Sequence, residues 1–139
     1  MRRRWVVALV CILVMASCAS PAQTAAFDRV NESRILAGVD PLGWNARTAM
    51  AAQDRAELLG DMGDIEHRAY DLSWLPDGRS AFGENVGVHG VDDDPGDIHA
   101  AYLASPSHRA NVLNPSYRYT GIGIAERGDL VFYVYLFWG

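Results

Sequence analysis

The segment that most restricts the fold is the last one. Leu130 to Trp138 reads Leu-Val-Phe-Tyr-Val-Tyr-Leu-Phe-Trp, with no charge, glycine or proline in it. Its β-branched and aromatic content marks it as a strand. At a period of two, Leu130, Phe132, Val134, Leu136 and Trp138 fall on one face and Val131, Tyr133, Tyr135 and Phe137 on the other. Both faces are apolar, so this strand has to be central and covered on both sides. Thr120 to Ala125 is a second strand, joined to it by Glu126-Arg127-Gly128-Asp129 as a hairpin. The layer arrangement that follows is α+β: an α-β-α sandwich with a small, largely antiparallel sheet and helices on both faces.

The rest of the chain supplies those helices. Ala25 to Ala37 is expected to be a helix stopped by Gly38, and Pro41 to Trp44 a loop. Asn45 can cap a second helix running to about Leu59, with Gly60 behind it. Its stripe of Ala49, Ala52, Ala56 and Leu59 is made mostly of small residues, so the helix can sit close to what it covers. Asp61 to Arg79 reads as loop and Phe82 to Val88 as strand. Asp94-Pro95 starts a helix carrying Ile98, Ala101 and Tyr102, and Ser105-Pro106 stops it. At 139 residues, without repeats, the chain has the length of one domain.

The N-terminus reads as an export signal. Arg2, Arg3 and Arg4 precede an uncharged apolar run, Val6 to Val14, and then the small residues Ala16, Ser17, Ala19 and Ser20 around Cys18. The apolar stretch is shorter than the roughly 20 residues needed to cross a bilayer. Cys11 and Cys18 are the only cysteines, so the folded domain has no internal disulfide. Met15-Ala16-Ser17-Cys18 resembles a bacterial lipobox, which would make Cys18 the lipidated first residue of a lipoprotein on the outer face of the membrane. The alternative is cleavage near Ser20 or Ala22 and secretion. The expected layout is signal 1–17, tether 18–26 and domain 27–139. Loss of the signal leaves 9 basic against 17 acidic residues, which disfavours a nucleic-acid surface. A monomer is expected.

Glu84 shares strand parity with Phe82, Val86 and Val88, and a carboxylate on an apolar face needs a partner or a cleft. By itself it also suits a strand edge facing water. Of the four histidines, His67 and His108 lie in segments rich in turn formers, His89 at a glycine-rich turn, and His99 on a helix surface. No pair has i, i+4 zinc spacing. His67, Glu84 and His108 together have the ligand chemistry of an open zinc site, although spacing alone does not bring them together. Nucleophile motifs are lacking: there is no G-x-S-x-G, and Ser105 and Ser107 are turn residues around Pro106. The Asp-Asp-Asp-Pro-Gly-Asp run at 92–97 lacks the length and terminal Glu of a calcium loop.

In order along the chain, several segments resemble the CAP superfamily (SCP, or pathogenesis-related-1-like domain), in its short bacterial form. They are Val30-Asn31-Glu32-Ser33-Arg34, Gly38 to Trp44 with the Ala-rich helix behind it, His67, Gly83-Glu84-Asn85-Val86-Gly87, Gly121-Ile122-Gly123 and the last strand. The most specific is Ser105-Pro106-Ser107-His108-Arg109-Ala110-Asn111-Val112-Leu113-Asn114-Pro115. The resemblance implies an α-β-α sandwich with a cleft lined by two His and two acids. His67, Glu84 and His108 match three of the four, with Asn85 and Ser105 beside them; the second acid is absent, Ser105 standing in its place and Tyr102 at the preceding aromatic position. It implies a non-enzymatic binding module for a small lipid-like ligand, a divalent metal such as zinc held by His67, His108 and Glu84, or both. A metal- or Glu/His-dependent hydrolase and a purely structural envelope protein are the alternatives.

Overall fold

The computed structural model describes residues 19–139 except 68, 74 and 77. The expected signal segment and Cys18, the expected lipidation site, lie outside the described residues. The elements are α1 (Pro21–Leu36), β1 (Gly43–Trp44), α2 (Ala46–Met62), β2 (Phe82–Gly90), α3 (Pro95–Ala104), α4 (Pro106–Val112), β3 (Tyr119–Arg127) and β4 (Leu130–Trp138). The sheet runs β1-β3-β4-β2, antiparallel except for the short β1–β3 pairing.

β4 lies between β3 and β2, and its two apolar faces feed two cores. Val131, Tyr133, Tyr135 and Phe137 pack with Val30 of α1, Ile98 and Tyr102 of α3, and Val112 of α4. Phe132, Val134 and Leu136 pack with Ala52, Ala56 and Leu59 of α2. The small-residue stripe of α2 has its counterpart on β3. A Cβ on Gly121 would run into the backbone of Thr48 and Ala49, and one on Gly123 into that of Ala52 and Gln53. Helix backbone therefore rests on strand backbone, a spacing that only glycine permits.

Several boundaries differ from the sequence reading. α1 begins at Pro21, so residues 21–26, read as tether, form its first turns. Ser20 and Gln23 make a capping box: the Gln23 N–H donates to Ser20 Oγ at 3.2 Å and the Ser20 N–H to Gln23 Oε1 at 2.8 Å. α2 is capped by Asn45 as expected, but runs through Gly60 to Met62 and ends at Gly63 in the left-handed conformation (φ 70°). Gly60 is there for packing; a Cβ on it would meet the Arg127 and Phe132 side chains. Pro106 does not simply end a helix; it opens α4, where its missing N–H costs nothing.

The Asn31 and Arg34 motif is structural. Asn31 clasps the Leu42 backbone, its Oδ1 accepting from the N–H at 2.7 Å and its Nδ2 donating to the carbonyl at 3.0 Å. Arg34 is fully buried and donates to the carbonyls of Asp40 (2.7 Å), Val112 (2.8 Å) and Asn114 (3.0 Å). It joins the end of α4 to the loop before β1, satisfying carbonyls that would otherwise be buried without partners.

Candidate functional site

β2 is an edge strand, and Glu84 and Asn85 leave it on opposite faces. Glu84 turns to the α2 side. Its Oε1 accepts from His67 Nδ1 at 2.7 Å, its Oε2 accepts from the Tyr70 hydroxyl, and Arg55 Nε of α2 lies 3.7 Å from Oε2. The carboxylate is buried, its side chain 7% exposed, whereas that of His67 is 61% exposed. A carboxylate can only accept, so His67 carries its proton on Nδ1 when neutral and leaves Nε2 free toward solvent. The position of His67 follows from the turn at Gly63 and from Arg55 Nη2, which donates to the Glu66 carbonyl at 2.5 Å.

Asn85 turns to the other side and fastens α4. Its Nδ2 donates to the His108 carbonyl at 3.0 Å, while Asn111 Nδ2 reaches the Glu84 carbonyl at 3.0 Å and Asn85 Oδ1 at 2.9 Å. Asn85 itself is completely buried, so it serves as a brace for the cleft. Gly87 makes room for α3, since a Cβ there would strike Ile98 and the Tyr102 hydroxyl. His108 thus comes to stand over Tyr102, ring centroids 5.2 Å apart, and 6.4 Å from the ring of His67 with the planes inclined by 38°. Burial, and then the nearness of His67, hold the His108 pKa below the usual imidazole value.

The structure therefore brings His67, Glu84 and His108 together around the outer edge of β2. Several sequence expectations meet a different geometry. Both Glu84 oxygens are engaged by protein donors, and no three His, Cys, Asp or Glu side chains among the described residues converge as a ligand set. Glu84 thus stands behind His67, each of its oxygens turned to a protein donor. Ser105 starts α4 without a side-chain capping bond, and no described contact joins it to the cluster. His99 is not a surface residue; it is buried between α3 and α1, its Nε2 2.9 Å from Ser33 Oγ. Burial, and then Arg29, lower its pKa. His108 sits on α4 and not in a loop, and His89, on β2, is occupied by the Gly90 carbonyl (2.6 Å) and the Tyr133 hydroxyl (2.9 Å).

Sequence reading missed Arg55 and Tyr70. Arg55 carried a signal: it lies three residues after Ala52 and four before Leu59, a charge on the buried stripe of α2. Tyr70 lies in an irregular segment and carried none.

The fit for a metal is a pair of imidazoles. Their centroids, 6.4 Å apart, are at the outer limit for one ion held at about 2.0–2.1 Å by a nitrogen of each ring, and tetrahedral coordination needs the rings about 1 Å closer. No helix among the described residues is long and apolar enough to cross a membrane.

The model of the cysteine-rich secretory protein family, CAP, matches residues 27–138. The chain is similar to YkwD, an uncharacterized protein of Bacillus subtilis (strain 168), with 22% identity over 121 residues, 80% of this chain and 47% of YkwD. It thus spans about half the length of the curated relative it matches. An outer surface protein from Borrelia burgdorferi shares the fold with a TM-score of 0.74 and 17% identity, over 84% of this chain and 91% of that one. An extracellular SCP-domain protein from Bacillus anthracis str. Ames gives 0.70 and 24%, over 84% and 39%. NaASP2, solved with Zn2+, gives 0.58 and 10%, over 85% and 80%. The α+β sandwich and the match across nearly all of the described chain have one meaning: this is a bacterial-type member of the CAP, or cysteine-rich secretory protein, family.

Proposed function

We propose that this chain is an exported, monomeric cell-envelope module, anchored by a lipid on Cys18, that binds a divalent cation such as zinc between His67 and His108. The observation that carries the metal reading is the pair of rings 6.4 Å apart with Glu84 on His67 Nδ1. A carboxylate on the far nitrogen of a histidine fixes its tautomer and orientation and raises its basicity, which is how outer-shell groups prepare a metal ligand. The lowered pKa of His108 keeps that ring neutral and able to bind. With two protein ligands, the remaining positions stay open to water or to a polar group of a ligand, so binding is weak and exchangeable. A bound ion would act there as a Lewis acid that holds such a group. The zinc carried by NaASP2 is consistent with this choice of metal.

Binding is preferred to hydrolysis because Glu84, the only described carboxylate joined to the pair, is held by His67 and Tyr70 beside Arg55. A general base has to be free to reach a water or substrate proton. A lipid-like ligand is a second reading. A groove of about 250 Å³ between α1 and the α3–α4 pair is lined by Leu36, Leu103 and Leu113, with Ser33 and Arg109 at hand for a polar head.

Zinc calorimetry on wild type, His67→Ala and His108→Ala tests the metal. Heat in the wild type that vanishes in both variants is expected. Equal heats in all three would remove the site. Mass spectrometry of the purified protein for co-purifying lipid tests the second reading.

A further inference from the structure

We infer that the domain lies flat against the outer phospholipid surface of the membrane, on a face built by the start of α1, Trp44 and Met50, and does not swing on a tether. This rests on the reading of Cys18 as lipidated.

The first observation is where the fold begins. Ser20 is already the N-cap of α1, and the Gln23 side chain that completes the box also donates to the Ile122 carbonyl of β3 at 2.9 Å. Only Ala19 separates Cys18 from that cap, and two extended residues reach about 7 Å. The polar headgroup layer is itself roughly 5–8 Å deep. Acyl chains in the hydrocarbon therefore draw the first turn of α1 into the headgroups. Cleavage near Ser20 or Ala22 would instead remove the Ser20 cap and its reciprocal bond with Gln23, whereas processing ahead of Cys18 keeps both.

The second observation is the chemistry around that point. Residues 19–27 carry no charge, while every one of the 17 acidic residues and 9 of the 12 basic ones lie from Asp28 onward. Ala19, Gln23, Trp44, Met50 and Asp54 border a shallow depression of about 180 Å³. Met50 is 61% exposed, and Trp44, half-buried, leans edge-on against Phe27. The acidic run that leads α3 lies on the other flank of α1, where Pro95 adjoins Ala22 and Ala25. An acidic body against an acidic lipid surface turns the uncharged stretch 19–27 inward, with Asp54 alone as a carboxylate at the border of the depression.

The test uses the lipoprotein in phosphatidylcholine–phosphatidylglycerol vesicles. A lipidated Cys18 has no free thiol, so Met50→Cys and Met62→Cys each take a single environment-sensitive fluorophore. The two positions lie on one helix, twelve residues or about 18 Å apart along its axis. Floated protein should show the Met50 label quenched by nitroxide lipid at least several-fold more than the Met62 label. Ten Gly/Ser residues inserted after Cys18 should bring the two together without changing flotation. Protein that stays in the aqueous fraction overturns the anchor and, with it, this placement. Flotation with equal quenching at both positions overturns the placement alone. Shielding of the Met50 label in cell envelopes but not in protein-free vesicles would assign the face to an envelope protein and overturn the bilayer.

Discussion

Glu84→Gln changes one charge and almost no volume, and its consequences divide between stability and binding. Among the described residues Glu84 is the acidic side chain paired with Arg55, and both are nearly buried, with side chains 4% and 7% exposed for Arg55 and Glu84. Arg55 Nε and Nη1 have no hydrogen-bond partner, so the ion pair with Glu84 is what the structure gives that end of the guanidinium. Removing one member of a buried pair typically costs about 3–5 kcal/mol, because the other charge remains without compensation. The 3.7 Å separation is loose, so the lower end, about 3 kcal/mol, is expected. Glutamine also offers one acceptor where two donors, His67 and Tyr70, now converge, so one of them faces an amide NH2. Released from its orienting carboxylate, His67 should bind zinc about 10- to 100-fold more weakly. Urea denaturation measures the first effect and calorimetry the second. The two are separated by Arg55→Met and the double variant. Removing both charges should recover at least about 1 kcal/mol of the summed single losses, a coupling within the usual range for contacting residues. The zinc affinity should stay low, since Glu84 is still missing. Additive stability losses would refute the pairing of Arg55 with Glu84; unchanged zinc affinity in Glu84→Gln would refute its role behind His67.

Two further outcomes follow from packing and titration. Gly123→Ala puts a methyl group into the α2 backbone at Ala52 and Gln53, which cannot give way as a side-chain tip can, so urea denaturation should show a loss of about 3 kcal/mol or more; a loss below about 1 kcal/mol would mean the helix rides higher on β3. For His99, folding lowers the pKa through burial and then through Arg29, so the stability it contributes is complete above the unfolded value near 6.5 and is lost as pH falls through the folded one. Wild type should lose stability below pH ~6.5 with a slope of up to about 1.4 kcal/mol per unit for this proton, and His99→Gln should flatten that part of the curve; an unchanged slope would place the effect elsewhere.

What the sequence made legible, and what it concealed, follow from how local each determinant is. The two-faced pattern of Leu130–Trp138 is a property of nine consecutive residues, and it foretold both the central position of β4 and the presence of helices on either side. The small stripe of α2 foretold a close approach, and Gly121 and Gly123 were its visible counterpart on β3. The start of α1 was legible too, since Ser20-Pro21-Ala22-Gln23 is a capping box with proline at the first helical position. The site was harder. Apolar parity indicated that Glu84 needed a donor, and His67 meets that need, but parity carries no information about how many donors arrive. Tyr70 and Arg55 reach the carboxylate from a loop and from a helix on the far side of the sheet edge, an encounter set only by the tertiary fold. Those two extra donors change the chemistry. A carboxylate without protein partners is a metal ligand or a base, whereas one held by His67 and Tyr70, with Arg55 3.7 Å away, directs the histidine in front of it. Local sequence pattern therefore places the residue in the cleft, while its function depends on contacts from segments 14 and 29 positions away.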